Sequence, residues 1–142
     1  MRNGSTVAVK NFMWFVSAFH VVVGLSLMFS PTLTKMIAAG YGASVNWTDQ
    51  FLYILKPMGA FMLILGVAAA AAAREPLRYP AVIYGFVALF AIRALQRVLY
   101  LSDIERAFAI PGPRLTFNTV AMLALSASLF VLYRTTRRQT VE

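Results

Sequence analysis

The chain contains no cysteine. That absence excludes thiol–disulfide exchange, thiolate metal sites and iron–sulfur ligation. Charge is scarce as well: 13% of the 142 residues are charged, against about a quarter in soluble domains. Only five residues are acidic, Asp49, Glu75, Asp103, Glu105 and Glu142, and each falls in a loop, at a helix end or in the tail. No carboxylate lies within an apolar run, so the usual proton relay and cation-exchange site of small exporters are missing. There is one histidine. No Ser/His/Asp set, metal cluster or phosphate loop has convincing spacing, and enzymatic activity has little to stand on.

What is present is apolar. Hydrophobic residues make up 60% of the chain and the mean hydropathy is +0.70, which indicates one integral membrane domain with little outside the bilayer. The net charge of +8 would suggest nucleic acid in a soluble protein. Here most basic residues sit at the ends of apolar runs, where they set orientation and meet anionic head groups, so no nucleic acid partner is expected.

The pattern predicts a bundle of four transmembrane helices with short loops, over residues 12–29, 51–73, 80–101 and 115–133. Leu27-Met28-Phe29-Ser30 offers no small-residue cleavage site, so the first run reads as a membrane helix rather than a removed signal. Ser30-Pro31 predicts a capped short helix running to Gly40. Thr48-Asp49 is a helix start, and Pro57 predicts a kink or a rescued carbonyl inside the second span. Gly59, Gly66, Ala70 and Ala73 form a small-residue seam for close helix approach, with Lys56 expected on the same face. Pro111-Gly112-Pro113 marks the last loop, and the basic tail from Arg134 is expected at the surface.

Four spans put both termini on one side. That side collects seven basic residues, Arg2, Lys10, Arg74, Arg78, Arg134, Arg137 and Arg138, against Lys35, Arg106 and Arg114 opposite. The positive-inside rule then makes both termini cytoplasmic in a bacterial inner membrane.

The third span is organised around two arginines. The uncharged run from Tyr79 to Ile92 reaches only ~21 Å as a helix, short of a ~30 Å hydrocarbon core. Spanning therefore takes Arg93 and Arg97 into the membrane. They share a helical stripe, and Lys56 and Asn118 fall at similar depth in the outer half. Two readings stand open. The side chains snorkel to head groups and pair with Asp49, Asp103 or Glu105, or Lys56, Arg93, Arg97 and Asn118 form an outward-facing cationic pocket. The pocket would take a lipid phosphate, a quinone-like head group or a partner's carboxylate.

His20 lies near mid-membrane with Ser17 and Gly24 one turn to either side, leaving room for something bulky. It is a candidate ligand for haem iron or (bacterio)chlorophyll magnesium, against the alternative of a neutral imidazole hydrogen-bonded to a neighbouring helix.

The polar loop into the second span and its run LYILKPMGAFMLILGV, with glycines at 59 and 66, resemble the DoxX-like group of small four-helix bacterial membrane proteins. That group often carries a glutamate between the glycines. Met62 and Leu63 stand there instead, so no role for the acid carries over. The resemblance implies partnership with a larger electron-transfer assembly. With minimal loops, small-residue faces and no catalytic set, the expected role is a non-catalytic accessory or structural subunit of an electron-transfer, respiratory or photosynthetic complex, among lipids and other integral subunits. The alternatives are a binding or transport protein using the cationic pocket, with lipid or quinone bound, and a pigment or haem carrier through His20.

Overall fold

Prolines and capping side chains divide the described residues into six helices. The computed structural model describes residues 4–141; Arg2 and Glu142, counted above, lie outside them. Helix α1 spans Gly4–Phe29, α2 Pro31–Gly40, α3 Asp49–Arg74, α4 Pro80–Leu99, α5 Leu101–Phe108 and α6 Gly112–Val141, and no strand occurs among the described residues. Helices α1, α3, α4 and α6 are each long and apolar enough to cross a membrane. The chain is an all-α membrane protein built on four such helices.

Helix starts follow local chemistry. The Ser30 hydroxyl accepts from the Leu33 amide at 3.3 Å, with Pro31 beginning α2. The Thr48 hydroxyl accepts from the Phe51 amide at 3.2 Å to open α3. Each satisfies an amide that the helix itself leaves unpaired. Pro57 sits inside α3, and the helix continues through it.

Several elements run longer than the sequence suggests. α1 begins at Gly4 rather than Phe12, and α6 continues to Val141 past Tyr133. Hydropathy marks where a helix enters lipid; it does not mark where the helix ends, and no proline or glycine interrupts either extension. The Asp103–Arg106 stretch, expected as loop, lies within helix α5. Only at Ala109, in the left-handed region at φ 49°, does α5 stop.

The helices pack as two pairs, α1 along α3 and α4 along α6, and α1 also meets α6. The consecutive helices α3 and α4 touch little. At one end, Ser5 Oγ donates to Gln139 Oε1 at 2.6 Å, which sets the start of α1 beside the end of α6. Lys10 and Arg74 line a cleft at this same end. Lys35, Arg106 and Arg114 belong to α2, α5 and the start of α6, toward the other end.

The α1–α3 pair has the closest backbone approach. A Cβ on Gly59 would stand 2.7 Å from the Gly24 carbonyl oxygen, and one on Gly24 would stand 2.8 Å from the Gly59 carbonyl oxygen. A Cβ on Gly66 would lie 2.7 Å from a Val21 methyl. Ser17 Oγ donates to the Gly66 carbonyl at 2.8 Å. Lipid tails are as apolar as the side chains, so membrane helices gain little from leaving lipid. Close van der Waals contact and such hydrogen bonds are what hold them together. The seam is completed by buried Ala69, Ala72 and Ala73, with Ala70 only partly covered.

Lys56 departs from its expected place. It is exposed, with its ammonium 5.9 Å from the Tyr53 ring centre. At about 100° per residue, Lys56 lies about 60° round the helix from Gly59 and about 80° from Gly66. That puts it on the shoulder of the seam, and its long stem swings outward because the glycine face leaves no room. The outward face is apolar: Phe61 is 67% exposed, Ile64 66% and Val67 67%. A soluble surface would not carry such a belt, whereas lipid covers it.

Candidate functional site

At the end of the bundle away from Ser5 and Gln139, side chains of α4, α5 and α6 meet the loop after α2. The loop is shaped by Gly42, whose φ of +85° suits glycine. A Cβ there would also crowd Arg114 at 3.1 Å. The turn places the Tyr41 ring beside the Arg97 guanidinium, 5.9 Å from its centre. Three hydrogen bonds tie this loop to the second half of the chain. Ser44 N–H donates to the Phe108 carbonyl at 2.8 Å, Arg114 donates to the Gly40 carbonyl, and Asn118 Nδ2 reaches the Tyr41 carbonyl at 3.5 Å.

Beneath that roof lies an outer chamber of about 310 Å³, lined by Tyr41, Arg93, Gln96, Arg97, Phe108 and Asn118 among others. A second, inner chamber of about 190 Å³ is lined by Phe15, Phe19, His20, Phe90, Arg93 and Met122, with further contributions from Val16, Tyr41 and Leu125. Tyr41 and Arg93 line both. The inner walls are almost wholly apolar, and the outer walls carry the polar groups.

Arg93, Arg97 and Asn118 thus come together as expected, and Lys56 lines neither chamber. Tyr53 and Tyr100, at similar depth on α3 and at the end of α4, line neither chamber and are 68% and 55% exposed. The snorkelling alternative required acidic partners. Among the described residues the ion pairs are Arg78–Glu75 and Arg106–Asp103, so Asp103 is taken by a residue of its own helix. Arg97 Nη1 is buried without a hydrogen-bond partner. Two guanidiniums one turn apart repel each other, and although Tyr41 meets the half-buried Arg97 side chain, a nitrogen buried without an acceptor is costly. An anion between them would relieve both.

His20 is 1% exposed. Its Nδ1 lies 2.7 Å from the Val16 carbonyl of its own helix, and its Nε2 is buried without a partner. The imidazole therefore bonds to its own helix and not to a neighbouring one. Phe19 and Phe86 stand edge-on to the ring, with centroids 5.5 Å and 5.3 Å away. The room expected around Ser17 and Gly24 is occupied, because both pack against α3. A tetrapyrrole does not fit the inner chamber, which is sized for about one ring. Among the described residues, no three His, Cys, Asp or Glu side chains are placed to hold a metal ion.

Tyr41, Gln96, Phe15, Phe19 and Phe90 enter the site without having been singled out in the sequence. Tyr41 had one signal, an aromatic residue set between two glycines. The phenylalanines had none that separates them from the other apolar residues of their helices. Compared with protein family models, curated proteins and solved structures, the chain matches none.

Proposed function

We propose that the protein is a membrane-embedded binding protein for an amphiphile carrying an acidic group, either a lipid phosphate or the carboxylate of an organic acid. One observation carries this reading: Arg97, whose Nη1 is buried and unpartnered, lines one chamber together with Arg93 and Asn118. Guanidinium is the side chain best suited to hold phosphate or carboxylate through two parallel hydrogen bonds. The Asn118 amide, held only by a 3.5 Å contact, supplies a further donor. With the basic end cytoplasmic by the positive-inside rule, the chamber opens at the outer face of a bacterial inner membrane.

The accessory-subunit role has less support. It drew on minimal loops, small-residue faces and the lack of a catalytic set, and of these the small residues Gly24, Gly59 and Gly66 are spent within the chain, closing α1 on α3.

Arg97→Gln tests the binding role, since it keeps the side chain polar and removes the charge. In nanodiscs, titration with phosphatidylglycerol and, separately, with phenylbutanoate shows which anion source is taken. The variant is expected to weaken binding of the preferred anion by tenfold or more, in line with the loss of a charge-assisted hydrogen bond worth about 1.5–3 kcal/mol. Phosphatidylcholine serves as the control that neither protein prefers. Equal affinity of wild type and variant for both anions overturns the reading.

A further inference from the structure

The inner chamber narrows the ligand class, resting on the reading of the outer chamber as an anion site. Three observations bear on it. The first is size: about 190 Å³ is slightly more than the ~150 Å³ apolar cavity known to take benzene. The second is the wall. Phe15, Phe19, Phe90 and Met122 supply aromatic rings and a thioether, which favour an aromatic occupant over an alkyl chain.

The third is the histidine. A carbonyl oxygen can only accept, so at 2.7 Å from the Val16 carbonyl Nδ1 is the nitrogen that carries the proton of the neutral ring. Nε2 is then left with a lone pair and no donor. It is buried and unpartnered, on the side of the ring away from the Val16 contact; His20 lines the chamber, and a donor there meets Nε2 once the surrounding side chains shift to admit it. A buried acceptor at an apolar chamber is an unmet demand for one hydrogen-bond donor.

We infer that the ligand carries, at the end opposite its acidic group, a single aromatic ring with a hydroxyl that donates to His20 Nε2. The class is a hydroxyaryl acid. Its acidic group lies between Arg93, Arg97 and Asn118, and its ring passes Tyr41 into the inner chamber. The same geometry rejects a ring ending in a carbonyl or ether oxygen, because two lone pairs would then face each other.

The test uses the full chain in nanodiscs and three acids differing only at the ring terminus: para-hydroxyphenyl-butanoate, phenyl-butanoate and para-methoxyphenyl-butanoate, with homologues of longer and shorter linker. At the best linker length the hydroxyl compound is expected to bind about tenfold more tightly than the unsubstituted one. The methoxy compound should bind more weakly than either. In His20→Phe the advantage of the hydroxyl should vanish, and the ranking on wild-type protein stands whether or not that variant folds. Equal binding of all three acids, still lost in Arg97→Gln, overturns the role of His20 and leaves the anion site intact. Binding of none, or binding indifferent to Arg97→Gln, removes the anion site and this inference with it.

Discussion

Gly59→Leu is expected to unseat α1 from α3 and to give the largest stability loss of any single change in the bundle. The smallest added atom, a Cβ, already falls 2.7 Å from the Gly24 carbonyl oxygen and 2.7 Å from Met28 Cγ. The first of these is main chain and cannot rotate away. Forcing extra carbon into a packed interface costs about 1–3 kcal/mol where side chains can adjust. A leucine that meets backbone lies at or beyond the upper end of that range. The helices must separate, and Ser17 Oγ then loses the Gly66 carbonyl, now 2.8 Å away. In a detergent melt the midpoint should fall by well over ten degrees, or the variant should fail to accumulate. Gly85→Leu is the control: a Cβ there meets nothing within 4 Å, and its melt should match wild type. Equal melting of Gly59→Leu and Gly85→Leu would show that the seam does not hold the pair.

Arg97→Leu should do the opposite. Without ligand, Arg97 places a charge at a membrane-length helix, gives Nη1 no partner and sits one turn from Arg93. On insertion scales arginine costs about 2.5–3.5 kcal/mol at a helix centre, while leucine is slightly favourable. Arg97 lies in the last turn of α4, where the penalty is smaller. The ligand-free variant is therefore expected to be more stable than wild type by about 1–2 kcal/mol, while its anion binding is abolished. A residue kept at a cost to the empty protein is kept for what it holds. If Arg97→Leu melts lower than wild type, the guanidinium is a structural strut, and the chamber is not built around an anion.

How much of this was legible from residues alone differs by element. The four spans were, because apolar runs bounded by Ser-Pro, Thr-Asp and Pro-Gly signals leave few alternatives in a lipid solvent. The pairing of Arg93 with Arg97 was legible from helical periodicity, and Asn118 joined them through depth. The direction of Lys56 was not. A residue on the shoulder of a helix face is assigned inward or outward by its neighbours' bulk, and the partner of Gly59 is another glycine, which a single sequence does not announce. Tyr41 escaped for a different reason: loop residues have no period, and its position depends on a turn at Gly42 closed against Phe108 and Arg114. His20 was picked out by its rarity, and its direction of hydrogen bonding came only with coordinates.

The roof over the outer chamber joins the loop after α2 to α5 and α6 through the Ser44–Phe108, Arg114–Gly40 and Asn118–Tyr41 contacts. Two of the three, Ser44–Phe108 and Arg114–Gly40, are made through main-chain carbonyls, and neither uses the donors of Arg93, Arg97 or Asn118. If both hold whether the chamber is full or empty, they contribute nothing to the difference between those states. Their effect is on time. Were entry to require the loop to lift, loosening these contacts would speed a guest's arrival and departure by the same factor. Affinity would then be set beneath the roof and residence time by the roof itself.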